Sequence, residues 1–410
     1  MAKKKNPQKI QSLSKPLKRK ERVKIFEKTM YEFLRQIRPS CKGIHFSRDE
    51  ILFMYLYRYR IPNPIATEGK MICNKELNEM GHLIHQKLRE PILQHEGRWY
   101  SILELNLLFC YFQNMNRRKT KPERRYELWQ YLGTSSKIDI GLDKIIDYFI
   151  LLLYKTCVAA SNLRSKVYLL KICSSYIDRK NPGMEFTTKL DVRYAISKKI
   201  KIDGNSRLVY RLILPELNSP WYVDFDVSEF DEKDTGGKHF LPVYIQSHAL
   251  DRLKERLDLL DEEALNYSLY SNIEHFPHFY DVGEYILIPF NLFGCKIGYF
   301  ACKIVNGCFI IRTFLFITHS KTSEGDKLKD ICGLGWNDIP YWKIDRLSTF
   351  MNVDKEQYPH LSALFEEAGC GHVFKLHNEK FTAEAMQTAN LDGLKEFIRK
   401  GQELVEEEIL

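Results

Sequence analysis

Three side chains suited to phosphate chemistry stand at four-residue steps in YIQSHALDRLKERLDLLDEEAL (Tyr244–Leu265): His248, Arg252 and Arg256. On a helix this spacing gives them one line of sight. A second histidine closes an apolar stretch at Thr318-His319-Ser320-Lys321-Thr322, and Arg312 lies within that stretch. Cleavage of RNA through its 2′-hydroxyl requires a base, an acid and cations set against the charge that builds on phosphorus, with no obligatory metal. His248 and His319 are the pair that would exchange protons. Arg252, Arg256, Arg312 and Lys321 are the cations that would hold the phosphate. The plainer reading of the stripe is the charged side of an amphipathic helix.

The elements that must position these groups follow from the apolar pattern. Leu250, Leu253, Leu257 and Leu260 form one helical face, with Asp251, Lys254, Glu255 and Asp258 on the far side. Ser247 is expected to cap this helix, which places His248 in a first turn that attracts anions. Three strands follow, Glu284 to Phe290, Cys295 to Val305 and Cys308 to Thr318, the last two joined by the hairpin signal Asn306-Gly307. Alternation along the last strand sets Phe309, Ile311, Thr313 and Leu315 on one face and Cys308, Ile310, Arg312, Phe314 and Phe316 on the other. Both faces are apolar, so the sheet is expected to be covered on both sides.

The order β, α, α, β, β, β over about Leu241 to Leu334, with SHALDRLKERL and the Asn-Gly hairpin, resembles the RelE/ParE-type toxin superfamily and related microbial ribonuclease-like domains. The resemblance implies two helices before an antiparallel sheet, with histidines and basic residues acting on RNA or the ribosome. It implies an RNA-directed effector, a metal-independent endoribonuclease of toxin or defence type. The alternative is a non-catalytic protein or nucleic-acid interaction module, whose helical region docks a protein partner. Toxins of this kind are small and strongly basic, and this chain departs from them in both respects.

The net charge of +9 resides in residues 1–28, which hold eleven Lys or Arg against two Glu, so the remainder is neutral. Residues 1–24 read as a flexible basic arm, with Lys18, Arg19 and Lys20 as phosphate contacts. A second basic segment, Asn114 to Trp129, carries Arg117, Arg118 and Lys119, followed by Tyr126 and Trp129. It is either a phosphate-facing loop with stacking groups or a solvated loop followed by core aromatics.

Ten cysteines without a CxxC pair, and no apolar export segment, point to a reducing cytoplasm. The apolar run Tyr148–Tyr154 is too short for a membrane span. Glu274, His275, His278 and Asp281 are metal-ligand types, but Pro277 interrupts any ligand frame, and Asp224 and Asp226 read as the wet face of a strand. No metal or cofactor is expected.

The fold class expected is α+β. An all-helical domain over 25–180 follows the arm and ends at Asn181-Pro182-Gly183. A β-rich segment and linker over 181–240 comes next, then a two-helix plus antiparallel-sheet domain over 241–335, then a helical C-terminal region over 336–410.

Overall fold

The computed structural model describes residues 18–39, 43–69, 72–132, 142–176, 184–215, 221–230, 235–274, 279–333, 337–378 and 398. Most of the basic arm, Asn181-Pro182-Gly183, His275, His278 and the acidic C-terminus lie outside them. The class is α+β, with helices first, a β-rich region next and helices last. The chain forms two compact units that alternate along the sequence. One comprises Met1–Pro64, Gly81–Leu152 and Ile172–Thr188; the other comprises Ile65–Met80, Leu153–Lys171 and Lys189–Leu410.

In the first unit, α1 (Arg19–Ile37) buries Phe26, Met30, Phe33 and Leu34, which recur at helical spacing. It begins at Arg19, so residues 19–24 are helix and not a flexible arm. Ser47 fixes the start of α2 (Arg48–Tyr57): its Oγ accepts from Glu50 N–H at 3.2 Å, and its own N–H donates to the Glu50 carboxylate at 2.8 Å. Strand β1 (Ile65–Ala66) and the first half of α3 (Asn74–Lys87) belong to the second unit. A hairpin of β2 (Pro91–His95) and β3 (Arg98–Ser101) follows, so this region is not wholly helical. Helices α4 (Ile102–Met115), α5 (Pro122–Leu132) and α6 (Leu142–Ala160) come next, and Met30, Met54, Leu105, Leu108, Tyr111 and Leu128 share one core.

Strands β4 (Lys166–Tyr176) and β5 (Met184–Tyr194) form a sheet in the order β1-β5-β4. The boundary expected at 180/181 therefore falls between neighbouring strands. A hairpin turns at Asp203-Gly204 between β6 (Ser197–Ile202) and β7 (Asn205–Arg211), with φ of 47° and 80° at the two turn residues. Positive φ at both positions is what a two-residue hairpin requires. The stretch holding Asp224 and Asp226 is divided between two short strands. β8 (Ile213–Leu214) pairs with β9 (Trp221–Tyr222), and β10 (Asp224–Asp226) pairs with β11 (Phe240–Gln246).

Two helices, α7 (Ser247–Arg256) and α8 (Glu262–Glu274), precede β12 (Tyr280–Asp281), β13 (Ile286–Leu292), β14 (Cys295–Val305) and β15 (Cys308–Phe316). The sheet runs β12-β13-β14-β15-β11-β7-β6, with β10 also paired to β11. β11 lies parallel to β15 and antiparallel to β7, so the sheet is mixed and not wholly antiparallel. The helices α9 (Ser323–Cys332), α10 (Asp338–Tyr341), α11 (Leu347–Asn352) and α12 (Pro359–Glu367) complete the described part with a short 3₁₀ segment.

The hairpin of β14 and β15 carries an irregularity that decides which side chains reach the core. Ala301 faces Thr313 and Cys302 faces Ile311, which leaves Arg312 without a partner. One extra residue reverses the alternation beyond it. Phe309, Ile311, Phe314 and Phe316 consequently bury in one core with Leu253 and Leu257. Cys308 and Ile310 bury with Tyr244, and Leu315 buries with Leu287, Tyr299 and Ala301, in two smaller clusters. Each large apolar side chain contributes about 1.5–3 kcal/mol on burial, so this row fixes the register.

Candidate nucleic-acid interface and histidine cluster

The α4–α5 connection is built by its own polar groups. Asn116 N–H donates to Phe112 O at 2.9 Å, Thr120 Oγ1 donates to Asn114 O at 2.8 Å, and Pro122 opens α5. Leu128 and Leu132 bury the inner face of α5, where Tyr111 donates its hydroxyl to Leu128 O at 2.8 Å. Tyr126 and Trp129, three residues apart on another face, are 60% and 53% exposed. They are not core aromatics, so that part of the plainer reading is corrected, while the loop before them is solvated as that reading expects.

Arg124 pins α5 to α2 through Glu50 at 3.1 Å and also meets Glu127 at 2.7 Å. Arg117 is held by Asp49 at 2.7 Å, its guanidinium 4.5 Å from the centre of the Phe53 ring. Arg118, Lys119 and Lys121 are exposed and form no ion pair among the described residues. Of the three basic residues expected in this loop, Arg117 is thus engaged within the fold, whereas Arg118 and Lys119 face solvent. Lys18, Arg19 and Lys20 are also exposed, at the start of α1.

In the second unit, α7 starts at Ser247, and Gln246 occupies the cap position without a side-chain cap bond. The expected serine cap is absent because Ser247 is itself the first helical residue. Arg252 pairs with Glu255 at 2.5 Å, and Glu255 also receives Arg346 at 3.0 Å. Arg256 is buried: it pairs with the buried Asp345 and donates to the carbonyl of Phe314.

The imidazoles of His248 and His319 both lie in the field of Arg252 and Arg256. Burial first, then Arg252, holds His248 below the ordinary histidine range. Burial first, then Arg256, pushes His319 down to about 4. Both rings are therefore neutral at pH 7 and can accept a proton, and neither holds one to give. His319 is positioned by the turn that follows it, where Thr322 Oγ1 donates to His319 O at 2.7 Å. The first turn of α9 approaches so closely that a Cβ on Gly325 would stand 2.0 Å from His319 O.

Arg312 and Lys321 form a second group, both near the Tyr285 ring at 5.3 Å and 4.8 Å from its centre. Arg312 pairs with Asp203 at 2.7 Å and Lys321 with Glu284 at 3.1 Å. Asp203 also holds Lys303 at 3.1 Å. The four residues His248, Arg252, Arg256 and His319 are thus brought into one electrostatic neighbourhood, while Arg312 is engaged elsewhere. Sequence reasoning missed Glu255, Asp345, Arg346 and Tyr285. Asp345 and Arg346 stand far along the chain from α7 with no periodic signal. Tyr285 sat in plain view as the residue before a β-branched run.

Among the described residues no group of three His, Cys, Asp or Glu is placed to hold a metal. His275 and His278 lie outside the described residues, and Asp224 pairs with Arg211 at 2.6 Å. No helix among the described residues is long and apolar enough to cross a membrane. Compared with family models, curated proteins and solved structures, the chain matches none.

Proposed function

We propose that this chain is an RNA-directed protein that engages single-stranded RNA through α5 and the basic loop before it. The observation that carries the reading is the pair of exposed rings, Tyr126 and Trp129, beside the exposed Arg118, Lys119 and Lys121. Aromatic rings on which bases stack, next to cations that track the phosphates, are the recurring means of binding a single strand.

The test is titration of labelled single-stranded RNA into wild type, Trp129→Ala and Tyr126→Ala. Each variant should lose about tenfold in affinity, since one base–aromatic stack contributes about 1–3 kcal/mol. Melting temperatures should not move, because neither ring fills core. Equal affinities in all three proteins would end the reading.

A second reading is endoribonuclease activity at His248 and His319, in keeping with the RelE/ParE-type resemblance of this region. Arg252 and Arg256 lie in the field of both rings and supply positive charge for a phosphate, while the same charge opposes the imidazolium that a general acid needs. Cleavage of total RNA in the presence of chelator, lost in His248→Ala and His319→Ala with folding retained, would support it. A wild type that cleaves nothing leaves a non-catalytic RNA-binding module.

A further inference from the structure

A cavity of about 550 Å³ opens beside the start of β14 and the start of α9. Its size falls in the range of about 300–1,000 Å³ typical of small-molecule sites. Tyr280, Tyr285, Tyr299 and Leu287 supply ring faces and an apolar floor. The Tyr280 and Tyr299 rings meet edge to face with centroids 6.3 Å apart. One end is rigid: Lys296 Nζ bonds the buried Glu324 at 2.6 Å and the Tyr299 hydroxyl at 2.8 Å, and Ser323 donates to Glu324 at 2.9 Å. That network satisfies the Lys296 charge within the wall and holds Tyr299 in place.

The rim is chemically different. Lys321 sits 3.1 Å from Glu284 with its ammonium over Tyr285, and Asp326, exposed in the first turn of α9, has no side-chain partner among the described residues. The rim thus offers one ammonium donor and two carboxylate acceptors around a slot of aromatic faces. Fixed negative charge exceeds positive charge once the Lys296–Glu324 pair is discounted, which disfavours a phosphate inside the slot and favours a neutral planar ring. Among the bases, guanine alone combines one carbonyl acceptor, O6, with two adjacent donors, N1–H and the 2-amino group. A lysine reads the acceptor and carboxylates read the donors.

We propose that this cavity takes a guanine base, carried by a free guanosine nucleotide or by one unstacked nucleotide of an RNA strand. Only the choice of RNA as source rests on the function proposed above; the base site itself does not. The 2-amino and N1 donors go to Asp326 and Glu284, O6 takes a proton donor from Lys321, and the ring lies against the tyrosines.

The experiment is isothermal titration of the full-length protein with GMP, AMP, CMP and UMP, and separately with short single-stranded RNAs that differ only in one guanine or uracil. GMP should bind at least about tenfold tighter than UMP, because uracil has a single N–H on that edge and sets a carbonyl before the carboxylate that would take the 2-amino group. Asp326→Asn should remove that preference, and Tyr280→Ala should weaken all four nucleotides. Both residues are exposed, so each variant should keep the wild-type melting temperature. Guanine-dependent and Asp326-dependent binding seen only with the oligomer assigns RNA as the source. Absence of an Asp326-sensitive guanine preference in both arms overturns the proposal. Trp129→Ala separates the two readings, because it should weaken the RNA and leave GMP binding untouched.

Discussion

Arg256 and Asp345 meet inside the second unit, with Nε 3.4 Å from Oδ2 and both side chains buried. Burial lowers the affinity of the arginine for its proton and raises that of the aspartate, so desolvation works against the pair that attraction holds together. The same guanidinium donates to Phe314 O, which ties α7 to β15. Removing one partner leaves a buried charge: Arg256→Met and Asp345→Leu should each destabilise by about 3–5 kcal/mol. The double variant should cost much less than the sum of the two. Urea unfolding of the three proteins checks this. A single variant that unfolds like wild type would return Arg256 to the role of a phosphate ligand.

His319 makes stability depend on pH in a defined window. Its ring titrates near 4 in the folded chain, against about 6.5 when unfolded. Between these values the unfolded chain binds a proton that the folded ring refuses. The stabilisation is complete above about 6.5 and is lost as pH falls towards 4, on the order of 3 kcal/mol in all. Burial first, then the charges of Arg256, Lys321 and Arg252, oppose its protonation. In His319→Gln the fall in melting temperature between pH 7 and pH 4.5 should be smaller than in wild type; an equal fall would assign the acid sensitivity to other groups.

What could be read from the sequence divides by the range of the interactions involved. The Asn306-Gly307 and Asp203-Gly204 hairpins were legible because a turn that needs two positive φ values names its residues locally. The helical periodicity of α1 was legible for a similar reason. The faces of β15 were not, because a single unpaired residue at Arg312 reverses the alternation, and nothing in CFIIRTFLFIT marks which residue will bulge. The four-residue stripe on α7 is legible as spacing alone. The burial of its last member is not, because Asp345, the partner that holds Arg256 inside, lies 89 positions away along the chain. Tyr126 and Trp129 show the converse, since an apolar residue type does not say whether a neighbouring element arrives to cover it.

If α5 and its loop bind RNA as proposed, the exposed cations Arg118 and Lys119 should give a measurable salt dependence. Each phosphate contact to a single strand contributes about 0.7 to the slope of log affinity against log salt. Arg118→Ala and Lys119→Ala should each lower the slope by about that amount, with little change in melting temperature. Arg117→Ala should differ: it loses Asp49 and its place over Phe53, so its effect should fall on stability more than on slope. Identical slopes for all three variants and wild type would remove the loop from the interface.

The alternation of the two units along the chain bears directly on how the protein folds. The first unit takes residues from three stretches, the last of them Ile172–Thr188, and the second takes Ile65–Met80 and Leu153–Lys171 from between them. In the first unit Phe186 is buried against the Phe149 ring, with centroids 5.1 Å apart, and its N–H donates to Arg60 O at 2.9 Å. A fragment ending at Asp178 lacks Phe186 and leaves Phe149 without it. The same fragment keeps β1 and β4 but lacks β5, the strand between them. Glu76 and Lys166, which pair within the second unit, would retain each other but lose the sheet that supports them. The fragment 1–178 should consequently show helical circular dichroism without a cooperative melt, and should bind a dye that reports exposed apolar surface. The full chain should unfold cooperatively under the same conditions. A sharp, reversible transition in 1–178, with no dye binding, would show that the helical part is an autonomous domain and that the interleaving is incidental to its stability.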